Sequence, residues 1–170
     1  MDTVRYITFS AGGAKGVALC GTLLVLEELS LSGKLPRSQI RGCAGTSIGA
    51  LFALIYVLCI DCKDMLRMIF EEHVLDDLKP NADLNRLWHM CGVDDGQNVA
   101  DFVTDIIRLS CISEGRSAMD LTMLELQDAT GKELKLCVVD IMNGGDIVYL
   151  DAKNYPNMPV YKAVMASMAV

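Results

Sequence analysis

A chain of 170 residues, 52% hydrophobic but only 6% aromatic, is long enough to bury one aliphatic core and too apolar to be disordered. Its formal charge of −7, with no run of Lys or Arg, sets it against nucleic acid and against electrostatic attachment to anionic lipid. The seven cysteines are odd in number and lie in apolar segments, as at Cys20, Cys43, Cys59 and Cys137, so they read as reduced, mostly buried thiols. Cys59-Ile60-Asp61-Cys62 has CxxC spacing, but no second pair and no histidine at ligand spacing accompany it, so neither metal nor cofactor is expected. Met1-Asp2-Thr3 lacks a basic leader, and an intracellular setting is expected, cytoplasmic or peripheral to membranes.

In chain order, residues 4–10 (VRYITFS) predict a short buried strand that runs into Ala11-Gly12-Gly13-Ala14-Lys15-Gly16. Residues 17–31 predict a helix carrying Leu19, Leu23 and Leu26, stopped near Gly33 and Pro36. Residues 40–44 predict a second strand, followed by Gly45-Thr46-Ser47-Ile48-Gly49. Residues 48–60 are almost wholly apolar, too short a run to cross a bilayer, which needs about 20 residues. A helix buried on all sides is the better reading.

Residues 64–113 look helical and amphipathic, broken at Pro80 and around residues 92–96. Thr122 and Glu125 form a capping box ahead of a short helix. Residues 133–140 (ELKLCVVD) alternate as a strand, Asn143-Gly144-Gly145-Asp146 signals a hairpin, and residues 147–150 return. Residues 160–170 predict a last apolar helix. Strands alternating with helices indicate one α/β domain, a sheet covered by helices.

Two loops carry the chemistry. Gly45-Thr46-Ser47-Ile48-Gly49 fits G-x-S-x-G, with a strand before it and an apolar helix after it. A serine on so tight a strand-to-helix turn must adopt a strained backbone, and glycines two positions away remove side chains that would collide. The turn presents the hydroxyl at the positive end of the helix, beside the amide of Ile48. The blander alternative is a glycine-rich turn with an ordinary N-cap serine. The second loop, Gly12-Gly13-Ala14-Lys15-Gly16, offers free amides as a nest for an anion. It has neither the Walker spacing nor, with Ala11 at the first position, the dinucleotide fingerprint. Two amide-rich loops at two strand ends, one with a serine, fit acyl transfer, each donor contributing about 10²–10³ in rate.

Together these residues resemble the patatin-like phospholipases, which pair a G-G-x-R/K-G loop with a G-x-S-x-G elbow roughly thirty residues later. Ala129-Thr130-Gly131-Lys132-Glu133-Leu134 resembles the family's T-G-K-x-L entry to a strand. Pro159-Val160 and Ala163-Val164-Met165-Ala166-Ser167-Met168-Ala169 resemble its P-V-x-x-A-V-x-A-S-x-A block. The resemblance implies a three-layer α/β/α fold around a mostly parallel sheet. It further implies a lipid acyl hydrolase that uses a Ser–Asp dyad without histidine. Ser47 is then the nucleophile, the amides of Gly13, Ala14 and Ile48 the oxyanion donors, and a lipid or other ester the substrate, met at a membrane surface.

In that family the catalytic aspartate stands in a D-G-[GA] motif beyond the A-S-x-A block, and this sequence stops at Val170. The expectation is therefore a domain without its acid, weak or silent alone. Asp140 and Asp95 are the substitutes within the chain. Asp95-Gly96 reads more simply as a helix-entry turn, and Asp140 as a local cap. Lys15 either steadies the loop by its charge or is a solvated lysine. The rivals are a histidine-dependent esterase using His73 or His89, and a catalytically silent lipid-binding or assembly domain. The apolar end, residues 164–170, adds self-association as an expectation.

Overall fold

The computed structural model describes residues 4–71, 96–110, 112, 115 and 117–169. Its strands are β1 (Tyr6–Phe9), β2 (Gly42–Thr46), β3 (Glu133–Asp140) and β4 (Asp146–Leu150), ordered β1-β2-β3-β4 in one sheet. β1 pairs parallel with β2 and β2 parallel with β3, while β3 and β4 form an antiparallel hairpin. Its helices are α1 (Ala18–Leu31), α2 (Ile48–Val57), α3 (Cys62–Glu71), α4 (Gln97–Leu109), α5 (Met123–Thr130) and α6 (Val160–Met168). The expected α/β class and mostly parallel sheet are what is observed. His73, Trp88, His89, Pro80 and Asp95 lie outside the described residues.

The core is built around α2. Ala50, Leu51, Phe52, Ala53, Leu54, Ile55, Tyr56 and Val57 are all buried, so a helix with no polar face is the sheet's main packing partner. Phe9 at the end of β1 meets Phe52 and Tyr56, each at 6.5 Å between ring centroids. β3 has the alternation its sequence promises: Leu134 and Leu136 are buried, and Lys135 and Val139 are exposed. On the exposed side, the Lys135 ammonium lies 3.4 Å from the Asp151 carboxylate and 5.9 Å from the centre of the Tyr149 ring.

The local signals work as chemistry predicts. Thr122 accepts from the Glu125 amide while the Glu125 carboxylate accepts from the Thr122 amide, the reciprocal capping box that starts α5. α5 ends on Gly131 in the left-handed region, φ 66°. Lys132 next to it donates to the carbonyls of Arg37 and Ile40, tying the start of β3 to the approach to β2.

Three expectations are revised. The first helix is preceded by a 3₁₀ turn, Gly13–Val17, and starts one residue late. Cys59 is exposed, with φ 56°, on the turn after α2, whereas Cys20, Cys43 and Cys62 are buried. All five described cysteines are free, and burial pushes the Cys43 and Cys62 thiols up to about 12. The first strand, expected to be buried, is exposed at Tyr6 and Thr8 and fully buried only at Phe9. Among the described residues no helix is long and apolar enough to cross a membrane.

Tyr56 supplies a test of the core. It is 1% exposed, the Arg37 guanidinium sits 5.2 Å from its ring centre, and its hydroxyl finds no partner among the described residues. An unpaired buried hydroxyl costs stability, so Tyr56→Phe is expected to stabilise by about 1 kcal/mol, or about 2–4 °C in melting. A lower melting temperature in thermal unfolding would mean that the hydroxyl has a bridging partner.

Candidate functional site

Phe9 stands in register with Gly45 on the adjacent parallel strand, so the chain leaves β1 and β2 side by side at one end of the sheet. Both exits turn into helices there. Ser47 is the single residue between β2 and α2, with φ 55° and ψ −130°. That region is sparsely populated for any residue with a Cβ and costs about 1–3 kcal/mol. Its side chain makes no capping bond to the α2 amides, which removes the ordinary N-cap reading. Ser47 itself stands at the N-terminus of α2, the positive end of the helix dipole.

The elbow survives because its neighbours have no side chains. A Cβ on Gly45 would strike the carbonyl oxygen of Gly49. A Cβ on Gly49 would strike the carbonyl oxygen of Phe9 and come within 2.7 Å of that of Ser10. The second elbow glycine thus rests directly on the backbone from which the first loop departs. Thr46, the last residue of β2, is paired with Cys137 of β3.

The glycine-rich loop closes on the elbow from the other side. The Lys15 amide donates to the Gly12 carbonyl at 3.0 Å, folding the loop tightly. Gly13 has φ 50°, and a Cβ there would meet nothing within 4 Å, so the space in front of it is open. Gly16 is buried against Ile48, where a Cβ would fall 2.5 Å from Cγ1 and 2.6 Å from Cγ2. Gly12 is less confined, since a Cβ there would fall 3.3 Å from the Gly16 nitrogen. The loop therefore seats itself on the residue that follows the serine. Ala14 lies within the same 3₁₀ turn, and the Lys15 side chain is exposed. Ile48 opens α2, so its amide has no carbonyl one turn earlier within that helix.

Asp140 occupies the same end of the sheet, at the end of β3, but its carboxylate is spent on its own turn. It accepts from the amides of Met142 and Asn143 and, at 2.6 Å, from the Asn143 side-chain amide. Those bonds, the Asn143 side chain first, hold its carboxyl below the usual carboxylate range. Asp151 is likewise engaged, by Asn154 and Lys135. Gly96, which would follow Asp95, has φ 67° and precedes α4, as a helix-entry turn requires.

One residue that meets the elbow was not among the candidate site residues read from the sequence. Ser167 accepts from the Ser47 amide at 3.1 Å and donates to the Cys137 carbonyl at 2.7 Å. Its traces in the sequence are its place in the A-S-x-A block and a hydroxyl on the apolar face of Val160, Ala163 and Val164.

A family model described as patatin-like phospholipase matches residues 7–170. The uncharacterized protein YqhO of Bacillus subtilis is 28% identical over 176 residues, covering 95% of this chain and 54% of YqhO. Among solved structures, the full-length SpcU–ExoU complex from the type III secretion system of Pseudomonas aeruginosa gives a TM-score of 0.68 at 19% identity. That match covers 97% of this chain and 38% of the matched one. VipD of Legionella pneumophila gives 0.58 at 14%, covering 96% and 42%. At these identities the structural likenesses concern the fold. The chain spans about half the length of the curated relative and less than half of each structure.

If the backbone strain sits at Ser47, replacing the side chain there separates strain from chemistry. Ser47→Gly relieves the left-handed penalty and incurs the entropy of glycine, so it is expected to be more stable than Ser47→Ala by about 1 kcal/mol. Thermal unfolding of the two variants side by side checks this, and a glycine variant no more stable than the alanine one would contradict the strained elbow.

Proposed function

Because the chain belongs to the patatin-like phospholipase family, we propose that it carries the nucleophile and the oxyanion donors of a lipid acyl hydrolase. The observation behind this reading is the strained Ser47, whose side chain makes no capping bond, next to Ile48, on which the glycine-rich loop packs. Ser47 Oγ attacks the ester carbonyl carbon and its proton passes to a carboxylate. The carbonyl oxygen becomes an oxyanion that accepts from the amides of Gly13, Ala14 and Ile48. Collapse of the tetrahedral intermediate breaks the bond to the leaving alcohol, which takes the proton back from the carboxyl group. Water then repeats the sequence on the acyl-serine, with the same carboxylate as base.

The carboxylate is the aspartate of the D-G motif that the family resemblance sets beyond residue 170. Two facts favour that assignment over an acid within the described residues: Asp140 is consumed by its own turn, and Asp151 by Asn154 and Lys135. Serine and carboxylate must meet directly, since this chemistry has no intermediary imidazole. The substrate is a lipid ester met at a membrane surface, and the protein acts in an intracellular setting.

The test is covalent labelling of residues 1–170 with a fluorophosphonate, beside a longer chain extended through the next D-G motif. The same pair is assayed on a short-chain ester and a phospholipid. The longer chain is expected to label at Ser47 and to exceed the shorter in turnover by about 10²–10⁴, the usual contribution of a positioned base. Ser47→Ala abolishes both labelling and turnover. Equal turnover by the two chains would place the base among the aspartates already present. Absence of labelling in the longer chain would leave a silent lipid-binding domain.

A further inference from the structure

We infer that Ser167 is a positioning residue that holds the Ser47 elbow in its strained, reactive conformation. Its hydroxyl is committed in both directions: it accepts from the Ser47 amide at 3.1 Å and donates its own proton to the Cys137 carbonyl at 2.7 Å. One oxygen thereby joins three separate elements, the β2–α2 turn, the strand β3 and the helix α6. The oxygen itself is fixed, because Ser167 is 8% exposed and shares the helix face of Val160, Ala163 and Val164, each at 0%. β3 is the neighbour of β2 in register, with Thr46 opposite Cys137, so the clamp spans the position immediately before the serine.

Two consequences follow from this geometry. The Ser47 amide already has an acceptor, so it is withheld from the oxyanion and the work falls to the amides of Ile48 and the glycine loop. A residue at φ 55° and ψ −130° also relaxes readily unless its backbone is over-determined. The elbow glycines permit the conformation by removing clashes, whereas the bond to Ser167 holds it in place. Such a bond to a partly buried amide leaves that amide unsatisfied when the partner is deleted.

This inference rests on the reading of Ser47 as nucleophile only for its catalytic arm, and the structural arm stands alone. The experiment compares wild type with Ser167→Ala and Ser167→Thr in the chain extended through the next D-G motif, using two readouts. In amide hydrogen exchange followed by NMR, the Ser47 amide is expected to exchange about tenfold faster in Ser167→Ala and near the wild-type rate in Ser167→Thr. In fluorophosphonate labelling, Ser167→Ala is expected to lower the maximal rate of inactivation about tenfold with the half-saturating probe concentration unchanged, and threonine to restore it. If exchange rises but no variant, wild type included, labels, the clamp is real and the hydrolase reading fails. If wild type labels and Ser167→Ala labels at the same maximal rate with unaltered exchange, the positioning role is overturned. Thermal unfolding of each variant separates these outcomes from global destabilisation, and Ser167→Thr keeps the test open if alanine fails to fold.

Discussion

Everything at the working end of this molecule depends on a backbone contact that no side chain could survive. The α-carbon of Gly49 lies against the carbonyls of Phe9 and Ser10, and that of Gly45 lies against the carbonyl of Gly49. Together these approaches bring two strand-to-helix turns onto one another. Without them, α2 could not begin one residue after β2, and Ser47 would have room to relax into an ordinary cap. The burial of α2 supplies the force that keeps the turn tight. Eight successive residues of that helix lie in the core, so lengthening the turn would lift a large apolar surface toward water.

The arrangement separates roles along short stretches of chain. Apolar residues from Leu51 onward secure α2, while its first residue, Ile48, faces Gly16 and seats the glycine loop. Gly13, by contrast, faces open space at φ 50°. Within five residues the loop therefore changes from packing surface to exposed amide donor. At the opposite end of the strands, Lys132 and the capping box of Thr122 and Glu125 fix where β3 begins. Register then carries that position through Cys137 to the elbow. The T-G-K stretch is in this sense structural, remote from the chemistry yet setting the height at which Ser167 finds its acceptor.

Local patterns were the legible part of the sequence. The alternation of β3 and the capping box of α5 are short-range effects, and both appear where the residues placed them. The helix without a polar face was legible for the same reason, since thirteen nearly unbroken apolar residues leave few other places to lie. The 3₁₀ turn of Gly13–Val17 was not foreseen, because a glycine at positive φ leads into a tighter coil than the helical periodicity downstream suggests. The exposure of Cys59 was hidden by its apolar neighbours, although it caps a turn in the left-handed region. Ser167 stood out only as a letter of the A-S-x-A block, and its contacts were beyond reach. Its partners lie 120 and 30 residues away, and a serine on an apolar helix face carries no mark of which carbonyl or amide it will meet.

The most direct measurement is a crystal structure of the chain extended through the next D-G motif after reaction with a fluorophosphonate. A phosphorus bonded to Ser47 Oγ imitates the tetrahedral carbon of acyl transfer, and its phosphoryl oxygen marks where the oxyanion would lie. That oxygen is expected within hydrogen-bond reach of the amides of Gly13, Ala14 and Ile48, about 2.7–3.1 Å away. Ser47 would remain at positive φ. An adduct on another residue, or a phosphoryl oxygen turned to solvent with the glycine loop uninvolved, would contradict a single acyl-transfer site built from the two loops.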